Sequence, residues 1–320
     1  MVPERASSPF HSGELEVQRR AGVDDNIRKH AKVAIRKEMP VQHRDFFTNL
    51  TYVFVGSADK DGRPSASVLT GPRGFISSPD PTRLLVRAGR SADNPLNENL
   101  VAGANLGLLG LDLTNRRRNR LNGRTVSVDA DGFELIVHQS FRNCAKYIEI
   151  RKGITVDGLG SGQKPRFEFK QLNDRVKHVI QNAETFFVAS CTPAQDGVPV
   201  TYDCDISHRG GRPGFVVASD HEITVPDISG NLYFNTLGNF AVHPYAALLF
   251  IDFSTGDLVH IRGRVETLWN DPRIAGYSGA QRAWRLHVGD GYLAETASIR
   301  SDPGVEFSPF ASMTGLWGDS

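Results

Sequence analysis

The sequence contains one unit twice, and that duplication limits the fold more than any other feature. PRGFISSPDPTRLLVRAG, from Pro72, reads against RPGFVVASDHEITVPDISG, from Arg212, with Gly74-Phe75 falling on Gly214-Phe215, 140 positions later. The spacing persists: Asn99 falls on Asn239, Asp112 on Asp252, and Gly123-Arg124 on Gly263-Arg264. Upstream, TYVFVGSADKDGRP from Thr51 resembles TFFVASCTPAQDGVP from Thr185 at an offset of about 135, as a longer loop in the second copy would produce. A repeat of roughly a hundred residues is far longer than the 20 to 50 residue periods of solenoids. Two related domains are implied.

Each copy reads as antiparallel β structure. In the second, TFFVASC and GFVVAS are β-rich runs, AALLFIDF is a buried strand, STGD a hairpin turn and LVHIRGRVETLW a long strand. LGNFAVHPY, too interrupted for a strand, suits a short helix across a barrel end. The pattern predicts a mainly β (α+β) chain of two small barrels, about six strands each, with peripheral helices. It divides into a helical arm over 1–45, broken near Pro40, a first module over 46–150 and a linker over 151–172. A second module over 173–275 and a C-terminal helix and tail over 276–320 complete the chain, the helix falling around SGAQRAWRLHV. The GLGSG of Gly158–Gly162 lacks the spacing of a dinucleotide loop and reads as linker.

The 37 basic residues face 36 acidic ones, so no broad cationic footprint for nucleic acid or a membrane surface exists and any anion site is local. Three cysteines, Cys144, Cys191 and Cys204, are too few for a disulfide framework and suit a reducing compartment, and Cys144 reads as structural. No apolar run is long enough to span a bilayer, and the expected location is cytoplasmic. The ten histidines show no ligand spacing, so no metal is expected. No triphosphate loop or serine-hydrolase elbow is present, and no catalytic residue is assigned.

Against that neutral background, RRRNRLNGR packs five arginines into residues 116–124. Strand alternation puts Val259, Ile261, Gly263 and Val265 on the face that fills the second barrel, and Leu258, His260, Arg262 and Arg264 on the other. Arg118, Arg120, Asn122 and Arg124 occupy the same outward face of the first copy, because guanidinium groups in a barrel core would be costly. Such a face fits an interface holding an anion, for which arginine forks are suited. It fits a solvated hairpin equally well.

CDISHRGGRPGFV, PDISGN, NTLGN, HPYAALLFIDF and IRGRVE, in that order in the second copy, resemble the pyridoxamine 5′-phosphate oxidase-like, FMN-binding split-barrel superfamily, and specifically its flavin-nucleotide-binding branch with fused modules. MPVQHRDFF, VGSADKDGRPSASVLTGPRGF, SPDP, LLGLDL and QSFRNCAKYI make the first copy similar to the companion module. The resemblance implies two tandem Greek-key split β-barrel modules forming a pseudo-dimer within one chain, with FMN between them. It implies that Phe215, Val216 and Val217 meet the ring and that Asn235, Thr236 and Asn239 reach the ribityl chain or phosphate. Arg212 and Arg264 become phosphate or ring-edge donors, and His208 and Arg209 close the pocket. Arg118, Arg120 and Arg124 reach across from the first module, with His260 and Arg262 on the basic face of the second. The first copy departs from the pattern, with Asn94-Pro95 where the second has Phe234-Asn235, so one working pocket is expected.

The implied function is an oxidoreductase acting on a small-molecule substrate, reduced by a separate reductase or NAD(P)H because no nicotinamide-binding domain is evident. Vitamin B6 oxidation is not implied, since the substrate-closing C-terminal signature is missing. A non-catalytic flavin carrier, a split barrel holding FAD, haem or a deazaflavin, and a homodimer of the tandem chain remain open.

Overall fold

The computed structural model describes residues 8–89, 94–142, 145–157, 165–194 and 201–317. The chain begins with helices α1 (Ser12–Arg20), α2 (Asp25–Ala34) and α3 (Val41–Thr48), with Pro40 as the α3 N-cap. The first module comes next as β1 (Tyr52–Ala58), β2 (Pro64–Thr70), β3 (Ile76–Ser77), β4 (Arg83–Val86), α4 (Leu96–Asn99), β5 (Asn105–Asp112), β6 (Arg117–Val128) and β7 (Phe133–Arg142). Short strands β8 (Thr155–Val156) and β9 (Arg166–Phe169) and helix α5 (Asp174–Asn182) lead to the second module. That module comprises β10 (Thr185–Pro193), β11 (Tyr202–Gly210), β12 (Val217–Ala218), β13 (Glu222–Ile228), α6 (Asn235–Val242), β14 (Tyr245–Asp252), β15 (Asp257–Leu268), α7 (Pro272–Ala275) and β16 (Ala280–Ala294). β17 (Ile299–Arg300) and a 3-10 turn at Pro309–Met313 close the chain.

The duplication is structural as well as textual. The first sheet runs β2-β1-β5-β6-β7-β4-β3 and the second β11-β10-β14-β15-β16-β13-β12, the same path strand for strand. Matching detail survives the divergence of sequence. Asn99 donates to Ser57 Oγ at 3.0 Å, and Asn239 to Ser190 Oγ at 2.9 Å. Both long strands slip register immediately before the repeated glycine, between Asn122 and Gly123 and between Arg262 and Gly263. A β-carbon on Gly123 would sit 2.4 Å from the Ile136 oxygen, and one on Gly263 2.0 Å from that of His287, so only glycine allows the neighbouring strand this close.

Strand alternation assigns each face. In β1 and β10, Val53, Val55, Phe186 and Val188 fill their own barrels, whereas Phe54, Phe187 and Ala189 join a third apolar cluster shared by both modules. β5 and β14 divide likewise: Leu108 and Leu248 face inward, and Leu109 and Leu249 the shared cluster. Strands buried on both faces read as continuous apolar runs, as YVFV and AALLFI do. Phe54 and Phe187 occupy equivalent positions and stack on each other, with ring centroids 3.5 Å apart and planes at 16°. Equivalent residues in mutual contact mark a local two-fold axis, the arrangement of an isologous dimer built into one chain.

Three sequence expectations are corrected. The segment expected as a C-terminal helix is β16, which pairs with β15 along one edge and β13 along the other, carrying the second sheet past residue 275 to Ala294. Its apolar residues also fit helical spacing, but two open strand edges on either side supply a full ladder that a helix would leave unmatched. The linker is partly paired, since β9 bonds to β16 and β8 to β17; Gly158–Gly162 lie outside the described residues. The arm is not wholly external, because α1 buries Glu14 and Gln18. Cys144 also lies outside the described residues.

Candidate functional site

Apolar packing fills the middle of the seam, and the open space lies at its ends. At one end β6 of the first module meets β11 and the start of α6 of the second, enclosing a cavity of about 130 Å3. Five cationic side chains line it, Arg118, Arg120, Lys146, Arg209 and Arg282, against one carboxylate, Asp227. Such an imbalance in a chain of net charge +1 favours an anion. The first turn of α6 lines the same space, and its N-cap, Phe234, supplies no side-chain acceptor to its N–H groups.

Arg120 organises the site. Its guanidinium donates to Ser207 Oγ and, at 2.9 Å, to Asn235 Oδ1, and lies 3.5 Å from Asp205. The Thr236 hydroxyl donates to Ser207 Oγ at 3.0 Å. Asp205 also accepts from Asn122 at 2.8 Å and Asn239 at 3.1 Å. Arg120 Nε is buried without a hydrogen-bond partner, as is Arg282 Nε. Two buried guanidinium donors left over beside a cation-lined cavity fit an acceptor-rich anionic group. His208 is held well below the ordinary imidazole range by burial and by the Arg118 and Arg209 charges, so it faces the cavity neutral. Burial raises the Asp227 carboxyl, with Arg209 and Arg282 opposing.

Backbone strain gathers here too. Tyr147, Leu232 and Phe234 adopt φ of 62°, 61° and 61°, and all three line this cavity; only two other non-glycine residues among those described have positive φ. Bulky side chains in the left-handed region cost about 1–3 kcal/mol each and concentrate at functional sites.

A second space of about 320 Å3 shares Asn235 with the first and is lined by His11 and Glu14 of the N-terminal arm. Asn235 Nδ2 donates to Glu14 Oε1, and His11 Nε2 lies 2.9 Å from Asn239 Oδ1. The arm thus engages two of the residues expected to hold a ligand. Burial, with Asp205 adding, pushes the Glu14 carboxyl up to about 8. Docked Glu14 is therefore protonated where a free glutamate is ionised, and docking weakens as pH rises from the ordinary carboxyl range through about 8, by at most about 1.4 kcal/mol per pH unit. Tryptic cleavage after Arg19 or Arg20, expressed as the ratio of native protein to Glu14→Gln, should climb across that window. A ratio independent of pH would contradict the assignment.

The pseudo-symmetric end of the seam differs. Its cavity of about 180 Å3 holds His260 and Arg262 with Arg166, but also Asp59, Glu98 and Asp290. Arg262 is tied to Asp290 at 2.8 Å, burial holds His260 down to about 3, and the adjoining helix α4 is a single turn. Charge balance and a stunted helix leave this end without the anion-binding character of the other.

Residues 39–155 match the family model described as pyridoxamine 5′-phosphate oxidase. That match spans the first module, which is similar to the pyridoxamine 5′-phosphate oxidase-like split barrels. The second split barrel repeats the strand path of the first. No curated protein matches the chain. Among solved structures it is similar to a candidate pyridoxamine 5′-phosphate oxidase from Lactobacillus delbrueckii, at 12% identity and TM-score 0.32, covering 40% of this chain and 98% of that one. Group A Streptococcus HupZ is similar at 11% identity and TM-score 0.30, over 41% and 99% of the two chains. An FAD-binding protein from Mesorhizobium loti is similar at 12% and 0.26, over 40% and 97%.

Of the residues singled out in the sequence, the split-barrel seam brings Arg118, Arg120, His208, Arg209, Phe215, Asn235 and Thr236 to one cavity and Asn239 to its neighbour. Phe215 and Val216 belong chiefly to the second barrel's core. Arg212 and Val217 are exposed on the turn and short strand leading away, Arg264 is exposed beyond the bulge, and Arg124 lines none of these cavities. Arg264 keeps the same strand face as Arg262, since β15 holds unbroken register with β14 and the extra residue of the bulge, Gly289, lies on β16; it is exposed farther along the strand and lines none of the cavities. Asp205 and Ser207 lie within CDISHRGGRPGFV without being marked there as site residues, and Arg282 and Glu14 carried no motif that singled them out. Lys146 and Tyr147 lie in QSFRNCAKYI, a motif that indicates their presence but not their place.

Proposed function

We propose that this chain binds a flavin nucleotide, FMN, at the α6 end of the seam and uses it as an oxidoreductase on a small molecule. The observation that carries this reading is the cavity between the two modules in which five cationic side chains and the uncapped α6 N-terminus surround a space with one carboxylate. The similarity of residues 39–155 to a family named for a phosphate-bearing substrate agrees with a phosphate-bearing group at that place.

Arg118, Arg120 and Arg209, with the Ser207 and Thr236 hydroxyls, would hold the phosphate, and Phe215, Ile228, Leu232 and Phe234 offer the apolar surface a ring needs. A bound flavin supplies two-electron redox chemistry. The chain's own contribution is orientation, charge and exclusion of water. Neutral His208 adds no charge, and Asp227 balances Arg209 and Arg282 so that the positive field centres on the Arg118–Arg120 side. At about 130 Å3 the cavity is smaller than the roughly 300–1,000 Å3 of cofactor pockets. A whole flavin therefore requires the adjoining space as well, and displacement of His11 and Glu14 from Asn239 and Asn235.

The test compares FMN with riboflavin. If the phosphate occupies the cationic cavity, FMN binds about 10–100-fold more tightly, the worth of a hydrogen bond to a charged group, and Arg209→Ala narrows that gap. Equal affinities for the two, or a gap that Arg209→Ala leaves intact, reject the placement. Turnover of the reconstituted protein with NAD(P)H or a reductase separates an enzyme from a carrier, and the visible spectrum separates flavin from haem or deazaflavin.

A further inference from the structure

Cys191 and Cys204 stand directly opposite each other on β10 and β11, both reduced and both buried. Further along the same ladder, Ala194 N–H donates to Thr201 O at 2.7 Å, which makes that rung hydrogen-bonded. Rungs alternate, so Cys191–Cys204, three rungs away, is a non-hydrogen-bonded pair, the closer kind, with Cα atoms about 4.5 Å apart. That lies within the roughly 4.4–6.8 Å that a disulfide spans. Side chains on such a pair share one face of the sheet, here the face turned to the first module. The sulfur of Cys191 lies 3.2 Å from the carbonyl oxygen of Gly62, in the β1–β2 turn.

A third group completes the cluster. His243, at the end of α6, has Nε2 2.8 Å from the same Gly62 oxygen. A carbonyl only accepts, so Nε2 carries the hydrogen and Nδ1 is left as the acceptor in the neutral ring. Contacts with Cys204 and His243 draw the Cys191 thiol down to about 7, the same contact with Cys191 holds His243 up, and Cys204 is pushed well above its ordinary value by its contact with Cys191 and by burial. One sulfur is thus ready to ionise while its partner keeps its proton, the division of labour of an attacking and a resolving thiol. Cys204 also lines the 320 Å3 cavity at the seam, which gives a small oxidant a way in.

We propose that Cys191 and Cys204 are a redox-active dithiol that a hydroperoxide converts into a cross-strand disulfide, with His243 as the proton acceptor. The Cys191 proton passes to His243 and the thiolate attacks a peroxide oxygen. The O–O bond breaks, and the leaving hydroxide takes the imidazolium proton and departs as water. Cys204 sulfur then displaces hydroxide from the Cys191 sulfenic acid, and the Cys204 proton leaves with it as a second water. Two thiols lose two electrons, hydrogen peroxide gains them, and one S–S bond forms. This site is independent of any flavin.

The full-length reduced protein, without added cofactor, is exposed to hydrogen peroxide, quenched, denatured, alkylated and mapped by peptide mass spectrometry, with Cys144 read in the same digest. The expected result is joint loss of alkylation at Cys191 and Cys204, appearance of one peptide joining them that dithiothreitol separates, and oxidation about tenfold or more faster than at Cys144. In Cys204→Ser, Cys191 should be captured by a sulfenic-acid reagent. Full alkylation of both cysteines after peroxide, or oxidation of either without the joined peptide, overturns the proposal. The native-chain map decides the matter even if a variant fails to fold.

Discussion

Arg120→Ala is expected to destabilise the folded chain by about 3–5 kcal/mol, the usual cost of removing one partner from a buried ion pair. Arg120 is 3% exposed and joins the two modules through Ser207, Asn235 and Asp205, residues 87 and 115 positions away in the two hydrogen bonds. Without the guanidinium, Asp205 keeps only amide donors, and a carboxylate that Arg120 had offset remains near Glu14. The measurement is the urea midpoint of the variant. A cycle with Asp205→Asn apportions the effect: the double variant should recover about 1–3 kcal/mol relative to the sum of the singles, since residues in one network couple by that much. Additivity would show that Arg120 acts through packing alone. Flavin retention should fall in Arg120→Ala whatever the stability outcome, measured at a temperature where the variant is folded.

Phe187→Ala carries the second large effect, about 3–5 kcal/mol for truncating a fully buried aromatic. Phe187 stacks on Phe54 where the local two-fold axis crosses the seam, so the cavity it leaves opens onto both modules. Phe186→Ala is the matched comparison, because its neighbour is equally buried but faces the second barrel's own core. Both variants should lose stability. Only Phe187→Ala should speed hydrogen exchange in β1 and β5 of the first module as well as β10 and β14 of the second. Faster exchange confined to the second module would mean that the seam does not couple the two.

No helix among the described residues is long and apolar enough to cross a membrane. The opposing module covers the outer apolar faces of the strands, each barrel supplying the other's apolar partner.

Period-two alternation and the repeated Gly-Phe, Asn and Gly-Arg positions were enough to establish from sequence a duplicated β architecture and a shared outward face on β6 and β15, because those signals are local. Three outcomes were not local. The segment at Ala280–Ala294 became a strand because β13 and β15 offered it two edges, a demand that its own residues do not encode. Arg120 entered the seam cavity, whereas Arg124 and Arg264, on the same alternating faces of β6 and β15, lie farther along their strands and line none of the cavities, because what each position meets is set by the opposing module. Glu14 reached Asn235, and Cys191 met His243 and Gly62, only once distant segments had packed. Sequence determined which faces the strands would bury, since each residue's side is set by its neighbours along the chain. Tertiary structure decided which charges and thiols meet, since that depends on closing a seam between segments more than a hundred residues apart.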